Sequence, residues 1–311
     1  MERIGLLQKA VKYVCESDYR FLVNAAHGKY NRLSDEEYLK RKYEAVFHKT
    51  LNLDNPQTFN EKLQWLKLYD RRPEYTVMVD KYAVKDYVAG MIGEEYIIPL
   101  LGVWDQFDDI PFDKLPDQFV LKCTHDCGGI IICRNKKEFR RAEAKKKLER
   151  CMKRNYYWYS REWPYKDVTP RIIAEKFMEE EPGADLKDYK IFNFDGKPRL
   201  IQVDFDRFTD HKRNLYTTDW QYLEAAIQFP TDPQKKIRKP ERLQEMLKLA
   251  GRLSRGIAHV RTDFYIIHDR IYFGELTFYH GSGLEHFTPD LLGKYMGEMI
   301  KLPSGKVRSF S

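Results

Sequence analysis

Asp195-Gly196 stands between two apolar and aromatic runs, Tyr189 to Phe194 and Arg199 to Phe205. An Asp-Gly pair so flanked fits a type I′ turn, in which both central residues take positive φ, and it predicts an antiparallel hairpin. The segment Arg261 to Phe278, centred on His268-Asp269-Arg270, predicts a second hairpin. Hairpins join adjacent strands directly, whereas parallel strands need long crossovers, so these segments argue against a doubly wound parallel sheet. Ile97 to Trp104, Phe119 to Cys123, Ile130 to Cys133 and Ile172 to Met178 read as further strands. The first 95 or so residues differ. Thr58-Phe-Asn-Glu61 is a capping box ahead of Leu63, Leu66 and Tyr69 at helical spacing. Asp80 to Met91 repeats that spacing up to Gly93, and Arg140 to Tyr157 and Pro240 to His259 read as helices. The order predicts an α+β fold with antiparallel sheets. The expected divisions are a helical segment over 1–94, a first lobe over 95–165 and a second over 166–311.

The chain has 311 residues, 42% hydrophobic and 32% charged, an ordinary globular composition. No apolar run approaches the roughly 20 residues of a membrane span. Gln8, Lys9 and Lys12 interrupt the N-terminal apolar residues, so no secretory leader is expected there. Five scattered cysteines suit reduced thiols, and a cytoplasmic location is the expectation. The net charge of +7 fits anionic partners: phosphates, acidic saccharides, or peripheral contact with the inner face of a membrane. No nucleic-acid recognition motif accompanies it.

Three segments carry chemistry. A three-residue loop centred on Asp269 would place Asp263 opposite Glu275 and Arg261 opposite Thr277, on one face with Tyr265, Ile267, Ile271 and Phe273. Opposed Cβ atoms lie about 5 Å apart, and like charges so placed destabilise a sheet. The pair therefore calls for a cation: Mg²⁺ or Mn²⁺ with phosphate oxygens completing the shell, or a neighbouring Arg or Lys. Next, Lys122 sits inside an apolar strand before His125-Asp126-Cys-Gly128-Gly129, a loop able to aim bare amides at an anion. An edge lysine beside an ordinary hairpin loop fits the same text. Last, Glu175-Lys176-Phe177-Met178 ends a strand and could offer backbone groups and a Phe/Met slot to adenine.

The series Asp80-Lys81, Lys122, the Gly-rich loop, Glu175 to Met178, Arg261-x-Asp263 and Glu275-x-Thr277 is similar in order and spacing to the ATP-grasp superfamily. That resemblance implies that Lys81 and Lys122 contact ATP phosphates, that the loop with His125, Asp126, Gly128 and Gly129 closes over them, and that Glu175, Lys176, Phe177 and Met178 form the adenine hinge. The last hairpin is especially similar to D-alanine–D-alanine ligases, which also carry a glycine six residues after the Glu, here Gly281. It implies Asp263 and Glu275 as Mg²⁺ ligands, with Thr277 where an Asn is usual, and Arg261 as the group that stabilises the acyl phosphate. The text Lys81 to Lys85, Phe119 to Gly129, Asp188-Tyr-Lys190 to Gly196, Asp206-Arg207 and Phe273 to Phe278 resembles the TupA-like ATP-grasp family, linked to teichuronopeptide and surface-polysaccharide biosynthesis. By that likeness Asp188 and Lys190 join the nucleotide site.

The implied reaction is ligation of a carboxylate, such as a uronic acid of a polysaccharide precursor, to an amine by way of an acyl phosphate. The helical N-terminal segment replaces the domain that usually helps bind the acceptor, so acceptor identity does not carry over. In the loop from Asp204 to Asn214, Arg207, Lys212 or Arg213 is expected to reach the γ-phosphate or acceptor carboxylate. His125, His211 and His280 are candidate bases by location only, and a hydrogen-bonding or packing role is the first expectation for each. The rival readings are a sugar kinase on the same ATP site and a glycosyltransferase using Asp204-Phe-Asp206.

Overall fold

The computed structural model describes residues 5–179, 188–206 and 210–304; the side chain of Leu6 lies outside that description. Six helices come first: α1 (Leu6–Cys15), α2 (Ser17–Ala26), α3 (Asp35–Phe47), α4 (Phe59–Tyr69), α5 (Glu74–Val79) and α6 (Ala83–Ile92). The Thr58 box forms as expected, with the Thr58 hydroxyl accepting from the Glu61 amide and Glu61 accepting from the Thr58 amide at 2.9 Å. The helix expected from Asp80 begins instead at Ala83, because the Asp80 carboxylate accepts the Tyr82 amide at 2.8 Å ahead of its first turn.

The strands β1 (Leu100–Trp104), β2 (Phe119–Cys123), β3 (Ile130–Cys133) and β4 (Ile172–Lys176) form an antiparallel sheet in the order β1-β4-β2-β3. Helix α7 (Arg141–Met152) covers one face, where Phe119, Leu121, Cys123, Ile172 and Ala174 make a core with Ala144 and Leu148. Strand β4 was expected to open the second lobe; it is an inner strand of the first sheet, between β1 and β2. It stops at Lys176, so Phe177 and Met178 lie beyond it. The helix read through Tyr157 ends at Met152, and α8 (Tyr157–Ser160) is a separate turn.

The larger sheet is β5 (Asp188–Phe194), β6 (Lys197–Phe205), β7 (Lys212–Thr217) and β8 (Tyr222–Leu223), joined by β10 (His259–Ile267) and β11 (Arg270–Thr277) in the order β11-β10-β5-β6-β7-β8. The short β9 (Ala226–Ile227) pairs with β12 (Phe287–Thr288). Asp195 and Gly196 take φ of 50° and 74°, the turn their sequence predicts. The helix read over Pro240 to His259 is α9 (Leu243–Leu253), and His259 already belongs to β10. One core joins this sheet, α9 and helices of the N-terminal segment, with Phe59 in ring contact with Phe192, Phe194 and His259. The N-terminal segment is thus built into the second lobe.

Helix α10 (Asp290–Met299) closes the fold against the start of α4. A Cβ on Gly297 would stand 2.2 Å from the Gln57 carbonyl oxygen and 2.8 Å from the Phe59 amide nitrogen, backbone atoms that cannot turn aside. Gly297→Ala is therefore expected to lower stability by about 2 kcal/mol, as overpacking does. Urea unfolding measures it, and an unchanged midpoint would contradict the close approach.

Candidate active site

The acidic hairpin reaches its expected pairing by another route. Its turn has two residues, His268 and Asp269, at φ of 49° and 59°, and Ile267 pairs with Arg270. The register then shifts between Asp263 and Phe264, with Gly274 the extra residue of a bulge. A Cβ on Gly274 would lie 3.1 Å from the Asp263 carbonyl oxygen, so the bulge suits glycine. Beyond it Asp263 faces Glu275 and Arg261 faces Thr277, as read from the sequence. Ile271 and Phe273 were expected on that face. The bulge moves them to the other, where Phe273 pairs with Phe264.

Strand pairing extends this face across the sheet. Asp263 is opposite Lys190, Lys190 opposite Gln202, Asp188 opposite Asp204, and Asp204 opposite Arg213. The charges meet in a continuous series. Lys190 donates to Asp188 at 2.6 Å and to Asp263 at 2.5 Å. Arg261 donates to both oxygens of Asp263, at 2.6 and 2.7 Å, to Glu275 at 3.0 Å and to Thr277 at 3.1 Å. Its Nη1 lies 2.5 Å from His280 Nδ1, which must accept, since a guanidinium only donates. His280 Nε2 is 2.7 Å from Glu285, which Arg213 meets at 3.0 Å. Arg213 and His211 share Asp204 at 2.8 and 3.2 Å.

Desolvation of its enclosed half would raise Glu275, whose side chain is 47% exposed, but Arg261, Lys190 and Lys81 outweigh it and hold the carboxyl down to about 2. Burial, with Arg261 and Arg213 nearby, lowers His280 to about 4 against the pull of Glu285. The ring is neutral at pH 7, a link in the wall more than a base.

On the first sheet, alternation turns Lys122 away from the α7 core and onto the face of Val120 and Glu175. There the buried Glu175 carboxylate pairs with Lys122 at 2.6 Å and Lys85 at 2.5 Å. The sequence put Glu175 in the hinge through its backbone; its side chain neutralises two lysines, and Lys85 was overlooked as a site residue. Lys81 donates to the Asp126 carbonyl, and its amide donates to Thr124 at 3.1 Å, so it is docked on the Gly-rich loop. The two glycines there differ. A Cβ on Gly129 would meet Cys123 Sγ at 2.6 Å, whereas Gly128 is exposed with only Asp126 near it, at 3.9 Å. Gly129 closes the loop, through its amide to Asp126 at 2.9 Å, and Gly128 is the one open to a ligand.

The remaining residues take the following positions. His125 is buried with Nε2 on the Cys151 and Arg154 carbonyls, at 3.2 and 3.0 Å, and anchors the loop from behind. Arg213 lies in β7 and not in a free loop, tied also to the Ile227 carbonyl. Thr277 gives its proton to Glu275 at 2.9 Å while accepting from Arg261, so it orients that carboxylate. Lys176 is exposed, and Phe177 stacks under Arg134 at 5.1 Å. Arg207 lies outside the described residues. All five cysteines are free. No helix among the described residues is long and apolar enough to cross a membrane.

Two antiparallel sheets, one presenting lysines and a Gly-rich loop and the other an acidic hairpin, define the ATP-grasp class. The chain belongs to the TupA-like ATP-grasp family, which it matches over residues 61–301. It is similar to D-alanine–D-alanine ligase from Bacillus anthracis complexed with ATP, at 17% identity and TM-score 0.41 over 72% of this chain and 63% of that one. It is also similar to D-cycloserine synthetase, at 13% identity and TM-score 0.44 over 94% and 97% of the two chains. Likeness at that distance carries no argument about chemistry. The chain spans less than two thirds of the Bacillus anthracis ligase. No match was found among curated proteins.

Burial raises the Glu175 carboxyl, but Lys122 and Lys85 prevail and hold it below the ordinary range. Its stabilisation is therefore full above the unfolded-state value of about 4.3 and is lost as pH falls through the lower folded value. Glu175→Gln is expected to cost about 3 kcal/mol at pH 7, since it leaves buried ammoniums unpaired. Urea titrations of both proteins should show that gap closing below about pH 4. A gap that did not change with pH would contradict the triad.

Proposed function

We propose that this protein is an ATP- and Mg²⁺-dependent ligase that joins a carboxylate to an amine through an acyl phosphate. The observation that carries the reading is Arg261, buried between two opposed carboxylates on a sheet face that is otherwise self-neutralised. Glu275 has a side chain 47% exposed, held ionised and directed by Thr277. Asp263 and Glu275 supply the hard oxygen donors that Mg²⁺ takes. Among the described residues no group of three or more His, Cys, Asp or Glu could hold a metal, so phosphate oxygens would complete the shell. Bound there, Mg²⁺ would neutralise phosphate charge.

The chain's own residues do the rest in this scheme. Lys122 from the first sheet and Lys81, docked on the Gly-rich loop just ahead of α6, cradle the phosphates, with Lys85 and Glu175 fixing Lys122. Gly128 offers an amide without a side chain in the way. Arg261 holds the developing oxyanion, its guanidinium fixed by Asp263 and His280 so that no reorganisation is needed at the moment of reaction. Family resemblance supports a uronic acid or another surface-polysaccharide carboxylate as acceptor and an amino acid as amine. The glycosyltransferase reading loses its motif, because Asp204 is buried and bound by Arg213, His211 and Gln202.

Carboxylate-labelled [¹⁸O]uronic acid separates ligase from kinase. The ligase reading predicts one ¹⁸O carried into free inorganic phosphate, read by mass spectrometry. A phosphorylated sugar with no label in free phosphate would make the protein a kinase.

A further inference from the structure

Lys81 stands in no helix or strand, so something else must fix it. It lies where the two cores meet. Val79 and Val84, on either side of it, belong to the core of the larger sheet, whereas Cys123 and Ile172 belong to that of the first. Hydrogen bonds stitch the crossing. The Lys81 amide donates to the Thr124 carbonyl at 3.1 Å, and the Thr124 amide to the Arg171 carbonyl at 2.9 Å. The Thr124 hydroxyl accepts from the Arg171 amide at 3.1 Å and donates to the Thr169 carbonyl at 3.2 Å. Thr124 directly follows β2 and Arg171 directly precedes β4, so these bonds tie Lys81 to strand ends beside the Gly-rich loop.

One ion pair spans the same crossing. Asp80 is 5% exposed. Its Oδ2 accepts from Arg171 Nη2 at 2.8 Å, and its Oδ1 accepts the Tyr82 and Ala83 amides at 2.8 and 3.4 Å. The Arg171 guanidinium also lies 4.5 Å from the centre of the Tyr82 ring. The residues on both sides of Lys81 are therefore held by one arginine of the first lobe. A planar, always-charged guanidinium can donate to a carboxylate while stacking on a ring, which a lysine does less well. Such a buried pair is seldom the most stable filling for its space, since apolar side chains of similar volume often do as well. What it supplies here is position. With Asp80 and Tyr82 both fixed, the Lys81 side chain leaves the backbone at one place, and its ammonium meets the Asp126 carbonyl of the Gly-rich loop.

We propose that Asp80 and Arg171 are positioning residues for Lys81, setting its ammonium where the nucleotide phosphates bind and joining it to the Gly-rich loop. The proposal rests on the nucleotide reading of Lys81. Neither residue touches the phosphates; both act through the lysine between them. A side chain already held in place binds its ligand without first losing its rotamer freedom, which otherwise weakens affinity. A pair that only neutralised Asp80 would lower stability, and its effect on nucleotide affinity would not depend on what stands at position 81.

A double-mutant cycle separates the two roles. Calorimetry of the full chain with Mg²⁺ and a non-hydrolysable ATP analogue compares wild type, Lys81→Ala, Arg171→Gln and the double variant. Each single substitution should weaken binding about tenfold, and the double variant should bind no worse than either alone. Arg171→Lys, which keeps a charge beside Asp80, should recover part of the loss. If Arg171→Gln fails to fold, Asp80→Asn takes its place in the cycle, since it breaks the same pair and keeps an acceptor for the Tyr82 amide. Losses that multiply in the double variant, or no loss from Arg171→Gln, overturn the positioning role and leave the nucleotide site standing. Binding by Lys81→Ala as tight as by wild type removes Lys81 from the phosphates, and the positioning role with it. A wild type that does not bind the analogue overturns the nucleotide reading itself, and both roles fall.

Discussion

The structure depends on keeping one face of a six-stranded sheet electrically neutral while most of it is buried. Alternation sends Tyr189, Ile191, Val203 and Phe264 to one side as core. It must then send Asp188, Lys190, Gln202, Asp204, Arg213, Arg261, Asp263 and Glu275 to the other. Unpaired charges there would each cost several kcal/mol. The face answers with an alternation of charge from Asp188 through Lys190, Asp263 and Arg261 to His280, Glu285, Arg213 and Asp204. Glu275 ends a branch of it with half its side chain in the cleft. That position gives a carboxylate both ionised and reachable.

The first sheet solves the same problem on a smaller scale. Glu175 serves two lysines, and Lys81 is fixed to a loop carbonyl, so positive groups stand ready at the cleft without being buried alone. The N-terminal helices connect the two solutions. Through Gln64 and Lys67 they fix the left-handed turn after the acidic hairpin, and through Lys42 and Lys67 they grip the segment that carries Glu162.

Much of this was legible in the sequence because hairpin chemistry is local. Asp195-Gly196 dictates its own turn, and the opposition of Asp263 and Glu275 followed from strand alternation. The turn length was misread, and a bulge at Gly274 restored the pairing, since glycine in a strand does not say in advance which partner it will outrun. Helix ends at Met152 and Leu253 were overrun because the polar text after each continues the helical pattern, although Gly256, at φ of 75°, already marks a stop after the second. Glu175 and Lys85 were missed in their roles for a different reason. They lie far apart along the chain, and no spacing rule links Lys85 to Glu175.

The central claim is that Lys81 and Lys122 on one side and carboxylates of the larger sheet on the other grasp a magnesium nucleotide between them. Calorimetric titration with a non-hydrolysable ATP analogue, with and without Mg²⁺ and against a UDP-sugar, tests it most directly. The account predicts saturable, Mg²⁺-dependent binding of the ATP analogue and none of the UDP-sugar. Binding of the UDP-sugar with no response to the ATP analogue would contradict it.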